Sequence, residues 1–130
     1  MTRTLLAVLA SGAWIGASEF ARNELLFKSF WLAHYAGLGI GFPSSMANNA
    51  VWGLWSFVFA ACVVFLVSRL KFWETVAVAW VMAFVLMWLT IGNLGVLPYG
   101  LLWFAVPLSV LEAVLAAWIA KAICNPSSAR

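Results

Sequence analysis

Aspartate is absent from this chain, histidine occurs once (His34), cysteine occurs twice (Cys62 and Cys124), and charged residues make up only 8% of its 130 positions. Each shortage excludes something. Soluble domains carry about 25% charge, so an ordinary soluble domain is excluded. One His, no Asp and no Cys pair at ligand spacing leave a zinc-type site without donors, and no metal or cofactor is expected. Without a C-x-x-C pair, thiol oxidoreductase chemistry is not expected either, and no disulfide is implied between the mid-helix Cys62 and the distant Cys124. Catalysis needs paired acid and base groups. Such pairs are missing, so an enzyme is not expected. The net charge of +3 comes from seven scattered Lys and Arg residues. They form no basic stripe, so nucleic acid is not expected as a partner.

What is abundant is apolar, at 66% of residues. A membrane-spanning helix needs roughly 20 consecutive apolar residues, and the chain offers four runs near that length, the first of them short. The expected fold is an all-α integral membrane protein with four antiparallel transmembrane helices in a single domain, its partner being the lipid bilayer. The expected spans are about residues 5–20, 50–67, 75–91 and 101–123. Arg3, the run LLAVLA and the small residues Ser11, Gly12 and Ala13 resemble a signal peptide. The apolar run continues past that site, however, so an uncleaved first span is expected.

Segment one contains Gly12-x-x-x-Gly16, a spacing that lets a second helix approach closely. Residues 21–35 alternate Arg22, Glu24 and Lys28 with Leu25, Leu26, Phe27, Phe30, Trp31 and Leu32. An amphipathic interfacial helix, or an extension of segment one beyond the lipid, is expected there, with Glu24 and Lys28 at the favourable i,i+4 spacing. A fifth span over residues 25–42 would bury Lys28 and His34 and is disfavoured. Gly37, Gly39, Gly41 and Pro43 break the helix. In segment two, Asn49, Gly53, Ser56 and Ala60 share one face.

Lys and Arg set orientation. With the N-terminus inside, Arg3, Arg69, Lys71, Lys121 and Arg130 are cytoplasmic and only Arg22 and Lys28 lie outside, as the positive-inside rule requires. Trp belts agree with this topology, with Trp80, deep in segment three, as the exception. A bacterial inner membrane with both termini cytoplasmic is therefore expected.

The residue that draws attention is Glu112, near the middle of segment four. A carboxylate at that depth is costly and marks a functional site by default. Its face continues through Ala105, Ser109 and Ala116, small residues that turn into a bundle rather than towards lipid. Residues at matching depth are Gly12, Ser56 and Trp80. Ser56, Trp80 and Ser109 are thus the expected companions of Glu112 in a proton or substrate site, and no basic partner is expected at that level. Pro107, five residues earlier, removes a backbone donor and is expected to kink the helix. Glu19, Arg22, Asn23, His34 and Asn49 are expected as an outer polar group, forming either a vestibule or a solvated loop. Gly12, Gly16 and Gly53 are expected at helix contacts. Aromatic residues, 16% of the chain, can attract an apolar cation through their ring faces, although belts and packing use most of them.

Two functions fit these residues. One is a proton-linked transporter or permeation protein using Glu112. The other is a non-catalytic accessory or assembly subunit of a membrane complex. A homo-oligomer or a membrane-protein partner is expected in either case.

Overall fold

The computed structural model describes residues 1–124. Within them the chain is helical, without strands. Four helices are long and apolar enough to cross a membrane: α1 (Thr2–Leu26), α3 (Met46–Val67), α4 (Phe72–Asn93) and α5 (Tyr99–Cys124). The shorter α2 (Lys28–Gly37) follows α1.

The helix ends have local causes. Helix α3 starts at Ser45, whose Oγ accepts from the Asn48 amide while Asn48 Oδ1 accepts from the Ser45 amide. This reciprocal pairing satisfies amides that a helix start leaves without partners. At the start of α4 the Glu74 carboxylate accepts from the Lys71 amide at 3.0 Å. Helices α2 and α4 end alike. The amides of Gly39 and Ile40 bond back to the Ala36 and Tyr35 carbonyls, and those of Gly95 and Val96 to Gly92 and Ile91. Gly39 and Gly95 have φ of +72° and +75°, the left-handed conformation this motif assigns to glycine.

Helix α1 packs against both α3 and α5, and α5 also contacts α3 and α4. The contact layer is built from small residues: Ala7, Ala60, Ala79, Ala113, Ala116, Ala117 and Ala120 are all buried, joined by Ile15, Phe59, Val63 and Phe84. The larger apolar side chains, among them Leu5, Phe65, Leu86, Leu89 and Trp103, point outwards. Small side chains inside and large apolar ones outside is the arrangement that suits lipid, where close van der Waals packing holds helices together.

Two segments depart from α-helical geometry. Residues Ala21–Leu26 at the end of α1 and Val81–Val85 within α4 form π-helical turns. The expected interfacial helix over residues 21–35 is not one element. Residues 21–26 continue α1, Phe27 breaks the helix at φ −116°, and α2 begins at Lys28. Segment one therefore does not end near residue 20. Its polar residues Glu19, Arg22 and Asn23 bond to one another, with Glu19 and Arg22 buried and Asn23 half-buried. Residues 125–130, including the Arg130 used for orientation, lie outside the described residues.

Candidate functional site

Four helices converge on one buried ion cluster. Helix α5 contributes Glu112, which is fully buried together with Ala105, Ser109 and Ala116 on the same face. Helix α1 supplies what surrounds it. The Ser18 hydroxyl donates to Glu112 Oε2 at 2.5 Å. Arg22 Nη1 lies 3.3 Å from the same oxygen. On its other side the Arg22 guanidinium donates through Nη2 to Glu19 Oε1. One guanidinium thus sits between two carboxylates from different helices.

Further hydrogen bonds hold the cluster in place. Asn23 Nδ2 donates to Glu19 Oε2 at 2.7 Å, and the Trp31 indole donates to Asn23 Oδ1 at 3.2 Å. Helix α1 is fastened to α5 by Trp14, whose indole donates to the Glu112 carbonyl at 3.2 Å, and by Ser11, whose hydroxyl donates to the Ala116 carbonyl at 3.3 Å. Helix α4 adds the Phe84 ring, whose centroid lies 5.0 Å from Arg22 Cζ. This contact joins the two π-helical segments: Arg22 is in one and Phe84 in the other. Insertions of this kind recur at functional sites because they re-aim side chains that an α-helix would hold elsewhere.

A cavity of about 470 Å³ opens beside the cluster. Its lining includes Glu19, Arg22 and Asn23, with Gly53 and Ser56 from α3 and a set of aromatic rings from α2, α3 and α4. Glu112 is not part of that lining. Arg22 is: it has one carboxylate on the cavity side and one on the sealed side. Glu112 Oε1 and Arg22 Nη1 are buried and have no hydrogen-bond partner among the described residues.

No family model, curated protein or solved structure matches this chain.

The remaining sequence candidates fall as follows. Ser56 and Trp80 are not partners of Glu112. Ser56 donates to the Trp52 carbonyl one turn back, and Trp80 donates to Ser109, at 3.0 and 2.9 Å. Ser109 in turn donates to the Val106 carbonyl at 2.8 Å. Ser109, Ser56 and Glu112 do share the buried interior. The expectation that Glu112 has no basic partner is overturned by Arg22. Matching depth along straight α-helices, with Arg22 assigned to the interface, missed it because α1 runs on through a π turn. Of the outer polar group, Glu19 and Arg22 are buried instead of solvated, and Asn23 is half-buried. Asn49 lines the cavity, and His34 contacts the Gly95 carbonyl at 3.2 Å. Glu24 and Lys28 form their i,i+4 ion pair. A Cβ at Gly12 would collide with the Phe57 ring, while one at Gly16 would meet Ser56 at an ordinary 3.7 Å. Gly53 has open space and borders the cavity. Pro107 lies within α5, which is helical on both sides of it. Among the described residues no cluster of His, Cys, Asp or Glu has the size to hold a metal ion.

Sequence reasoning missed the role of Ser18, Arg22 and Trp14. A faint signal existed for Arg22, since Glu19, Arg22 and Asn23 follow at +3 and +4 and share one helix face.

Proposed function

We propose that this chain is a small proton-linked transporter or permeation protein, with four antiparallel spans in a cytoplasmic membrane, both termini inside and α2 at the interface. The observation that carries this reading is Arg22. It contacts Glu19 on the cavity side and Glu112 on the sealed side. A change of charge at either carboxylate is therefore felt at the other through one shared guanidinium. In this reading Glu112 is the proton site, Oε1 is the oxygen that carries the proton, and the cavity holds the transported species. Buried ion pairs inside membrane bundles often serve such relays, because a charge there is too costly to be incidental.

The test is proton flux into proteoliposomes containing the purified full-length chain, followed with an entrapped pH dye under an imposed potential. The wild type is expected to conduct or exchange protons, and Glu112→Gln to abolish the signal while remaining folded. Equal flux from both proteins would overturn the reading.

A second reading, an accessory subunit of a membrane complex, is supported by the separation of Glu112 from the cavity. A sealed acid bound by Ser18 and Arg22 also serves as a rigid strut between α1 and α5. That reading expects no flux from the purified chain alone, and loss of a co-purifying membrane partner when the bundle is disturbed.

A further inference from the structure

The cavity wall and the charge count of the cluster together specify a ligand class. Trp31, Tyr35 and Phe42 form an aromatic panel on one side: the Tyr35 and Phe42 rings meet edge to face at 5.2 Å and 82°, and Trp31 lies 6.3 Å from Phe42. Trp52 and Trp88 line the cavity as well. At the polar end stand Glu19, Arg22 and Asn23. Glu24 also borders the space, but Lys28 balances its charge.

With both carboxylates ionised, Glu19, Arg22 and Glu112 carry one uncompensated negative charge. Among the described residues no other element packed against the cluster offsets it: Lys28 of α2 is paired with Glu24, and His34 contacts the Gly95 carbonyl. Helix α3 contains no charged residue, and α4 contains only Glu74, in its first turn. An anionic ligand in this cavity would meet Glu19 and Glu24. An uncharged ligand would leave that charge to be met by the Glu112 proton alone. A cation answers both features, since ring faces attract cations and do so more strongly when water is excluded. The volume lies within the roughly 300–1,000 Å³ of small-molecule pockets.

We propose that the cavity binds a monovalent organic cation, an amine or quaternary ammonium with apolar substituents, with its charge towards Glu19 and its substituents against Trp31, Tyr35 and Phe42. Cation and proton then compete for the single excess charge. Binding of the cation releases the proton of Glu112, and return of that proton expels the cation, with Arg22 in contact with both carboxylates throughout. The competition rests on the proton-linked reading above; the cation site itself does not.

The experiment uses the full-length chain in lipid nanodiscs and three probes of similar shape: radiolabelled benzyltrimethylammonium, its uncharged carbon isostere, and benzenesulfonate. The ammonium is expected to bind saturably and at least tenfold more tightly than the other two, and to weaken as pH falls. Glu19→Gln is expected to lose tenfold or more. Tyr35→Leu is expected to lose severalfold while Tyr35→Phe keeps wild-type binding, a ring effect at a half-buried position whose substitution leaves the bundle core intact. Binding of benzenesulfonate as tight as that of the ammonium, or Tyr35→Leu behaving as wild type, overturns the proposal. Proton flux in proteoliposomes separates the two readings. Flux that depends on Glu112 without ammonium binding overturns the cation site alone. Ammonium binding without such flux supports the cation site and overturns the proton-linked function.

Discussion

At the scale of single residues, the molecule depends on Arg22 more than on the glutamate that first draws attention. A buried guanidinium between two carboxylates is stable only as a set. Removing one partner of a buried pair typically costs about 3–5 kcal/mol, because the remaining charge is left uncompensated. Arg22→Met is therefore expected to lower stability by about that amount, measured by unfolding in detergent with a fluorescent thiol or tryptophan readout. Adding Glu112→Gln to Arg22→Met should recover part of the loss, since residues in one network do not add. Arg22→Lys is expected to be an incomplete substitute. Lysine carries a compact charge, whereas the planar fork of arginine reaches Glu19 and Glu112 together. Ser18→Ala should cost about 1–3 kcal/mol by leaving a buried carboxylate oxygen without its donor.

At the scale of elements, α1 is fitted to α3 and α5 by different means. Against α3 the fit is steric. Gly12 lies under the Phe57 ring so closely that a methyl group has no room, whereas Gly16 faces Ser56 with ordinary clearance. Gly12→Ala is thus expected to destabilise by about 1–3 kcal/mol, the usual cost of overpacking, and a second substitution, Phe57→Ala, should relieve it. Gly16→Ala should be neutral within about 1 kcal/mol, since the better helix propensity of Ala offsets a small adjustment. Thermal unfolding of the four proteins side by side checks both statements. Against α5 the fit is polar, through Ser11, Trp14, Ser18 and Arg22. The Gly-x-x-x-Gly spacing foretold close approach without telling its two glycines apart. Which one is indispensable depends on where Phe57 sits, and that is a property of α3 docked on α1.

At the scale of the whole molecule, the cavity lies at the end of the bundle formed by the C-terminal part of α1, the start of α3 and the end of α4. In the proposed topology this end faces away from the cytoplasm. With Cys62 and Cys124 replaced by Ala, a single cysteine at Asn49 is expected to react with an impermeant maleimide added outside intact cells, and one at Arg69 only after permeabilisation. The opposite pattern would invert the topology. Benzyltrimethylammonium should protect a cysteine at Asn49 if the cavity takes an organic cation.

The class of protein and the inward face of α5 follow from the order of residues alone. Hydrophobic runs of spanning length can be satisfied only in lipid, and the 3.6-residue period places Ala105, Ser109, Glu112 and Ala116 on one side. The Glu24–Lys28 pair and the break at Gly39 follow from that order too, because i,i+4 spacing and glycine conformation are local matters. What Glu112 touches depends instead on how the helices pack. Its hydroxyl donor lies 94 positions away in the chain, and its cationic neighbour belongs to a stretch whose polar residues read as the edge of the membrane. Two π turns, which leave no trace in composition, carry Arg22 and Phe84, whose side chains meet. Pairing between helices is set by the rotation and rise of each one, and a single inserted residue shifts both. The glutamate was legible from its depth; the arginine beside it emerged only when the helices were packed.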